Sequence, residues 1–194
     1  PGRGTMVSSS EIIKIKNRRC SLPKLEKEFP QAVILDVTSK GPEPWVRFSP
    51  FYPHGKIPVP GSPDIQAASV EGVWQGLKVF ESADVDPGKF EVTSMKGLKR
   101  TVRRYGQCLG HRWGVEGEEL LGYREGRYRI YLPTYLWVLQ NKLQAELKML
   151  RDHTTQRPVI LLDYETNFDV EDLSRPLSHA GLVRAFLTDS WPKG

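Results

Sequence analysis

Three polar side chains of different chemistry fall on one arc of a predicted helix. The span Ser69–Glu81 begins with a plausible N-cap serine, and its apolar residues recur at helical spacing. On this helix Glu71, Gln75 and Lys78 line up beside the apolar stripe, with Trp74 at the border. A carboxylate in such a line can act as a base or stabilise a developing cation. The same pattern also fits a solvated face with an extended lysine.

The composition is typical of a single globular domain. With 39% hydrophobic and 26% charged residues, the 194-residue chain can bury an adequate core. We predict a disordered or cloning-derived tail at residues 1–10 and one domain over residues 11–194. A net charge of +5 permits anionic partners such as phosphates or nucleic acid but does not require them.

The two cysteines and the absence of long apolar runs indicate the cellular compartment in which we expect the protein. Cys20 and Cys108 have neither metal-ligand nor disulfide-framework spacing, which suits a reducing compartment. No apolar run could span a bilayer, and no N-terminal signal pattern is visible. These features predict a cytoplasmic protein without membrane contact; they do not predict the oligomeric state.

Several common enzyme motifs do not occur in the sequence. There is no GxGxxG, P-loop, HExxH or GxSxG pattern, which argues against nucleotide-fold dehydrogenases, P-loop NTPases, zincins and α/β-hydrolases. No cluster of histidines and cysteines indicates a metal site. We therefore expect no metal and no cofactor.

Hydrophobic periodicity predicts an α+β fold that is rich in helices and contains a small sheet. The predicted strands are Ile12–Arg18, Ala32–Val37, Trp45–Phe48 and Pro158–Tyr164. Besides the first helix, helices are predicted at Ser94–Tyr105, at Pro133–Arg151 and after the cap residue Ser178. The helix Ser69–Glu81 should pack against Pro133–Arg151, and residues 54–66 should form a surface loop.

The predicted helix Ser94–Tyr105 is strongly basic. It carries five cations, Lys96, Lys99, Arg100, Arg103 and Arg104. They fit either a solvated face or a phosphate contact, since arginine presents a fixed fork of donors to phosphate. The glycine-punctuated segment that follows contains Arg112 and Trp113, which suit a site or, for the tryptophan, a core position.

Two short segments, separated by a proline-rich stretch, carry a family resemblance. Residues 49–53, SPFYP, are similar to an S-N-F-Y-P segment, with Pro50 in place of asparagine. Residues 69–78, SVEGVWQGLK, are similar to an S-V-E-x-x-Y-Q-x-x-K helix, with Trp74 where tyrosine is usual. In their order and spacing the two segments resemble the NADAR family, whose members include N-glycosidases linked to NAD and ADP-ribose metabolism.

The resemblance covers about half of the chain and weakens after Lys78. Arg100, Gly110, Arg112 and Trp113 follow as a basic segment, a glycine-arginine loop and a tryptophan do in the family. The family's D-x-x-W-G segment is not found, and the nearest acidic residues are Asp163 and Asp169. Ser178-His179-Ala180-Gly181 occupies the place of its glycine-asparagine motif.

The resemblance implies an N-glycoside hydrolase that cleaves a ribose–base bond and releases ADP-ribose or a phosphoribosyl group. Glu71 would be the principal carboxylate, kept ionised by its place in the first helical turn, and Asp163 the second acid. Aromatic residues would stack on the base, arginines would hold phosphate, and the polar residues would hold Glu71 or sugar hydroxyls. This substrate-binding set comprises Ser49, Phe51, Tyr52, Trp74, Gln75, Lys78, Arg100, Arg112 and Trp113.

The implied substrate is a ribosylated small molecule or an ADP-ribosylated base in nucleic acid. Two other classes remain open. The chain could be a module that binds an ADP-ribose-like or nucleic-acid ligand without cleaving it, or a nucleic-acid-binding protein that uses the face Lys96–Arg104. Hydrolysis predicts that Glu71 and a second acid face one cleft, with Trp113 or Phe51 as a wall.

Overall fold

A computed structural model describes residues 12–194 and has the predicted α+β fold. The strands are β1 (Ile13–Asn17), β2 (Val33–Asp36), β3 (Ile57–Val59), β4 (Ser62–Ala67), β5 (Lys78–Phe80), β6 (Cys108–Arg112), β7 (Leu120–Leu121) and β8 (Val159–Asp163). The α-helices are α1 (Leu22–Glu28), α2 (Val70–Gly76), α3 (Val102–Tyr105), α4 (Tyr123–Gly126), α5 (Leu132–Lys142), α6 (Gln144–Thr154) and α7 (His179–Leu187).

The predicted tail, residues 1–10, lies outside the described part of the chain. Within residues 12–194, no helix combines the length and the apolar character that a membrane crossing requires. Two 3-10 turns, Trp45–Phe48 and Pro87–Glu91, and a π-helical turn, Arg127–Tyr131, complete the regular structure.

A three-stranded parallel sheet lies at the centre of the fold, in the order β1-β8-β2. Leu161 of the middle strand pairs with Ile15 on one side and Leu35 on the other. All three strands run in the same direction, so their carboxyl ends meet at one edge of the sheet. The polar segments that follow these strands are therefore brought together, although they are far apart in sequence.

The other two sheets are antiparallel, and one of them corrects a prediction. Residues 54–66 were expected to form a loop, but β3 and β4 pair there as a hairpin. Gly61 allows the turn because it adopts a left-handed backbone with φ of 75°. The second antiparallel sheet has the order β5-β6-β7. Its first strand, β5, follows α2 in the chain.

The predicted helix Ser69–Glu81 begins as expected but ends early. Ser69 caps it, since its Oγ accepts the backbone N–H of Gly72 at 2.9 Å. The helix stops at Gly76, and the next residues form β5, in which Lys78 pairs with His111 of β6. The valines of α2 and the apolar residues of β5 are all buried. The hydrophobic pattern therefore does not show where the helix ends and the strand begins.

Two glycines bring α2 close to the 3-10 turn Pro87–Glu91. A Cβ at Gly72 would lie only 2.7 Å from the carbonyl oxygen of Lys89, and one at Gly76 would collide with the ring of Phe90. Side chains at either position would push α2 away from the turn. Because Glu71 and Gln75 belong to the same two turns of helix, this close packing also fixes their position.

Three further predictions are corrected. The helix Ser94–Tyr105 is reduced to α3, because Met95 and Gly97 have left-handed φ values of 62° and 71° that a helix cannot contain. The helix Pro133–Arg151 is divided into α5 and α6 at Leu143. Residues 45–48 form a 3-10 turn rather than a strand. The predicted contact between the first helix and the leucine-rich helix is confirmed as packing of α2 on α5.

Candidate active site

A cleft of about 980 Å³ opens at the carboxyl edge of the parallel sheet and extends to α2 and β6. Ligands commonly bind at this edge in open α/β sheets. The structure brings eight of the eleven predicted site residues into the cleft: Glu71, Asp163, Ser49, Phe51, Trp74, Gln75, Lys78 and Arg100. The cleft is therefore the candidate active site.

Glu71 and Gln75 form a hydrogen-bonded pair on α2. The Nε2 of Gln75 donates to the Oε1 of Glu71 at 2.8 Å, as residues four apart on a helix can. The Oε1 of Gln75 in turn accepts the backbone N–H of Arg100 at 3.1 Å, which fixes the orientation of the amide. Among the described residues, the second oxygen of Glu71 has no hydrogen-bond partner and remains available to a ligand in the cleft.

The two segments that carry the family resemblance contact each other. The backbone N–H of Glu71 donates to the carbonyl oxygen of Pro50 at 2.9 Å. The buried Oγ of Ser49 accepts the backbone N–H of Phe51 at 3.2 Å, which shapes the turn that carries the phenylalanine. Phe51 forms part of the cleft wall, and the Nζ of Lys99 lies 6.0 Å from its ring centroid.

The electrostatics of Glu71 differ from the expectation based on the helix dipole. Burial raises the pKa of Glu71, while the hydrogen bond from Gln75 and the charge of Lys78 oppose that rise. The seven-residue helix does not by itself keep this carboxylate strongly ionised. Burial also lowers the pKa of Lys78, and the negative charge of Glu71 opposes that change. Each of the two groups thus favours the charged form of the other.

Arg100 lies in the cleft wall but is not placed to clamp a phosphate. Its guanidinium is buried and donates to three backbone carbonyls, those of Gln75 at 3.1 Å, Lys78 at 2.7 Å and Asp84 at 2.6 Å. It also lies over the rings of Phe80 and Tyr105, at 4.9 and 5.3 Å from their centroids. These contacts connect α2 to β5, so Arg100 supports the site rather than binding a ligand.

Asp163 lies in the cleft as predicted, and one of its oxygens is fully engaged. Its Oδ2 accepts the Oγ–H of Ser178 at 2.8 Å and the backbone N–H of Ala180 at 3.1 Å. The Nδ1 of His179 lies 3.1 Å from the same oxygen, and its Nε2 donates to the carbonyl oxygen of Val37 at 2.7 Å. Asp163 therefore anchors the start of α7 to the end of β8.

Three predicted site residues do not line the cleft. The hydroxyl of Tyr52 accepts from Arg47 at 3.3 Å. Arg112 donates to Asp84 at 3.0 Å and to the carbonyl oxygen of Gly117 at 3.2 Å. Trp113 packs against the core, with the guanidinium of Arg129 at 4.6 Å from its ring centroid. The structure thus packs the half-buried Trp113 against the core, and it engages Arg112 in contacts outside the cleft.

Other cleft residues were not in the predicted set of site residues: Arg19, Ser39, Lys40, Tyr123, Arg127, Tyr131, Tyr164, Glu165 and His179. Lys99 also lines the cleft, and it belongs to the basic segment for which a phosphate contact was left open. Five of the cleft residues follow the carboxyl ends of parallel strands, and their only signal was the run of polar residues after each predicted strand: Arg19, Ser39, Lys40, Tyr164 and Glu165. Arg127 is buried and donates to the carbonyl oxygens of Val170 and Asp172, each at 2.9 Å, so it fixes a wall of the cleft.

The indole of Trp74 packs against a buried histidine, His111. The ring of His111 stacks on the indole at a centroid distance of 3.7 Å, and Tyr131 packs edge-on at 5.6 Å. Neither nitrogen of His111 has a hydrogen-bond partner among the described residues. Burial, assisted by the charge of Lys78, lowers the pKa of His111 to about 3. His111 is therefore a neutral imidazole at physiological pH.

This neutral histidine predicts a specific sensitivity to acid. A histidine in the unfolded chain binds a proton near pH 6.5, but His111 in the folded chain does so only near pH 3. Its contribution to stability is present above pH 6.5 and is lost as the pH falls towards 3. The difference sets an upper limit of about 5 kcal/mol. We expect His111→Phe, which keeps the aromatic stack, to lose less stability than the wild type between pH 7 and 4.

Urea unfolding at several pH values measures this effect. Parallel loss of stability in the two proteins would contradict the assignment of His111 as a neutral buried group. His54 provides an internal comparison, because burial lowers its pKa to about 4 as well, and it remains present in both proteins.

The fold and the cleft define a class: an α+β protein with a mixed-charge cleft at the carboxyl edge of a short parallel sheet. No group of three or more histidine, cysteine or acidic side chains within residues 12–194 is arranged to hold a metal ion. The chain belongs to the family described as "Family of unknown function (DUF6939)", whose model matches residues 17–183. No curated protein and no solved structure matches the chain.

Proposed function

We propose that this protein hydrolyses the N-glycosidic bond between a ribose and a nitrogenous base. The observation that carries the proposal is the carboxylate of Glu71. It lies in the cleft, is held at one oxygen by Gln75 and has no partner among the described residues at the other. Its segment and the segment 49–53 also carry the resemblance to NADAR N-glycosidases, and they are in direct contact through Pro50.

The proposed reaction replaces a carbon–nitrogen bond by a carbon–oxygen bond. As the C1′–N bond breaks, its electron pair moves to the base, and positive charge develops on the sugar. Glu71 stabilises this charge and accepts a proton from the attacking water, whose oxygen bonds to C1′. The ammonium of Lys78, which has no carboxylate within 4.0 Å among the described residues, supplies a proton to the departing base. Trp74 and Phe51 provide aromatic walls for that base.

A panel of ribosylated compounds tests the proposal. NAD, ADP-ribose, ribosylated pyrimidine and flavin precursors, and ADP-ribosylated DNA would each be incubated with the protein. Release of a free base together with a ribosyl product supports hydrolysis. Intact substrate after long incubation, for every member of the panel, contradicts it.

The pH dependence of hydrolysis provides a further prediction. The base form of Glu71 is required, so kcat/KM should fall as the pH is lowered through a pKa that burial has raised. The hydrogen bond from Gln75 lowers that pKa, so its removal in Gln75→Leu should move the acid limb of the profile to higher pH.

Profiles of kcat/KM against pH for wild type and Gln75→Leu measure this shift, with Gln144→Leu on the exposed side of α6 as the control. An acid limb at the same pH in all three proteins would show that Glu71 is not the titrating group.

A second candidate function is binding without cleavage. It is favoured by one observation, the engagement of the Oδ2 of Asp163 by Ser178, Ala180 and His179, which leaves the predicted second acid committed to holding α7. Saturable binding of one panel member without turnover would support this function.

A further inference from the structure

Arg100 and Arg112 were the predicted phosphate ligands, but both guanidinium groups are engaged by other groups of the protein. Other cations in the cleft are therefore the candidates for binding a phosphate. The two terminal nitrogens of Arg100 donate to backbone carbonyls, while its buried Nε has no partner among the described residues. Arg112 lies outside the cleft beside Asp84. Of the five other lysines and arginines that line the cleft, Arg127 donates to backbone carbonyls. The remaining four have no carboxylate within 4.0 Å among the described residues: Arg19, Lys40, Lys78 and Lys99. Lys78 and Lys99 act electrostatically on Glu71 and thus lie at its end of the cleft.

Arg19 and Lys40 lie on a different part of the rim, where the parallel strands end. Arg19 follows β1, and Lys40 follows β2. The carboxylate of Asp36 connects the two segments, since its Oδ2 accepts from Arg18 at 2.8 Å and its Oδ1 accepts the backbone N–H of Thr38 at 3.0 Å. The residues next to these anchors, Arg19 on one side and Ser39–Lys40 on the other, are therefore held on the same rim.

The donors on this rim are unpaired. Asp36 neutralises Arg18, but it leaves Arg19 and Lys40 free. The guanidinium of Arg19 lies 5.1 Å from the ring centroid of Tyr164, which also lines the cleft and limits the positions the arginine can take. Neither the hydroxyl nor the backbone N–H of Ser39 has a hydrogen-bond partner among the described residues.

We infer that Arg19, Ser39 and Lys40 form a subsite for a phosphoryl group carried by the sugar of the ligand. A guanidinium fork, an ammonium and a hydroxyl are the donors that phosphate oxygens require. The inference rests on the proposed function for the identity of the sugar, and it places the phosphoryl group away from the reacting end at Glu71.

A charge-matched pair of double variants tests this subsite. Arg19→Gln with Lys40→Gln removes the two cations of the rim. Lys14→Gln with Lys24→Gln removes the same charge from exposed positions outside the cleft. Binding of ribose 5-phosphate and of ribose would be measured by calorimetry at low salt. We expect the rim variant to bind ribose 5-phosphate at least about tenfold more weakly, with no change for ribose and little change in the control.

Two probes distinguish the possible sources of the phosphoryl group. Ribose 5-phosphate represents a free phosphorylated sugar, and a single-stranded DNA hexamer with a 5′-hydroxyl represents a nucleic-acid backbone. Weaker binding of either probe in the rim variant supports the subsite and identifies its source. Equal affinity of wild type and rim variant for both probes, an equal loss in the control, or no preference of the wild type for either probe over ribose would overturn it.

The same measurements separate this inference from the proposed function. Glu71→Gln should retain the binding of ribose 5-phosphate, because the rim residues are unchanged. If no compound is hydrolysed but the rim variant loses phosphate binding, hydrolysis is contradicted and the subsite stands. If hydrolysis occurs and the rim variant binds as the wild type does, the subsite alone is overturned.

Discussion

Glu71→Gln is expected to reduce hydrolysis by on the order of a hundredfold or more, because the amide can neither accept the water proton nor stabilise positive charge on the sugar. The substitution preserves shape and leaves an oxygen that can accept from the Nε2 of Gln75, as the Oε1 of Glu71 does at 2.8 Å. The fold should therefore persist. Initial rates on the best substrate of the panel, with circular dichroism of both proteins, measure the effect.

Glu165 provides the control for this substitution. Its side chain lines the same cleft, so Glu165→Gln removes a nearby negative charge without removing the proposed base. We expect its rate to stay within several-fold of the wild type. Equal losses in the two variants would indicate a general effect of charge in the cleft, and full activity of Glu71→Gln would remove Glu71 from the mechanism.

Arg100→Met is expected to cause the largest loss of stability. Methionine has a similar length, but it leaves the carbonyls of Gln75, Lys78 and Asp84 without the donor that the structure gives them. A buried acceptor without a partner costs about 1 to 3 kcal/mol. The bond to the Gln75 carbonyl is buried and those to the Lys78 and Asp84 carbonyls are partly buried, so we expect a loss of about 2 kcal/mol. For a chain of this size, that corresponds to a fall in Tm of about 4 to 8 °C.

Thermal unfolding of Arg100→Met and of Arg103→Met tests this prediction. Arg103 is exposed on α3 and outside the cleft, so its substitution should change Tm little. An unchanged Tm for Arg100→Met, together with weaker binding of ribose 5-phosphate, would contradict the supporting role and return Arg100 to the phosphate-binding role that its sequence position suggested.

The parts of the site that depend on local spacing could be predicted from the sequence. Glu71 and Gln75 are four residues apart on a helix, so their contact follows from the helical period. Lys78 reaches the cleft although it belongs to a strand, because β5 directly follows the helix and continues along the same wall. The cap by Ser69 also depends only on neighbouring residues.

The parts that depend on long-range pairing could not be predicted. In the sequence Arg100 is one of several basic residues in its segment. Its hydrogen-bond partners are backbone carbonyls that lie 16 to 25 residues away, and no residue type marks them in the sequence. Arg19 and Lys40 come together only because β1 and β2 pair with opposite sides of β8, which follows both by more than 100 residues. The basic face Lys96–Arg104 does not form as a continuous helix, because Met95 and Gly97 adopt left-handed φ values and Arg100 turns inward.

The central claim is that the cleft cleaves a ribose–base bond. Mass spectrometry of the products after incubation of the wild type with the ribosylated panel tests it most directly. We predict a free base and a ribosyl product in equal amounts from at least one compound, with the yield nearly lost in Glu71→Gln. A panel that remains uncleaved, or a product in which the base stays attached to the sugar, would contradict it.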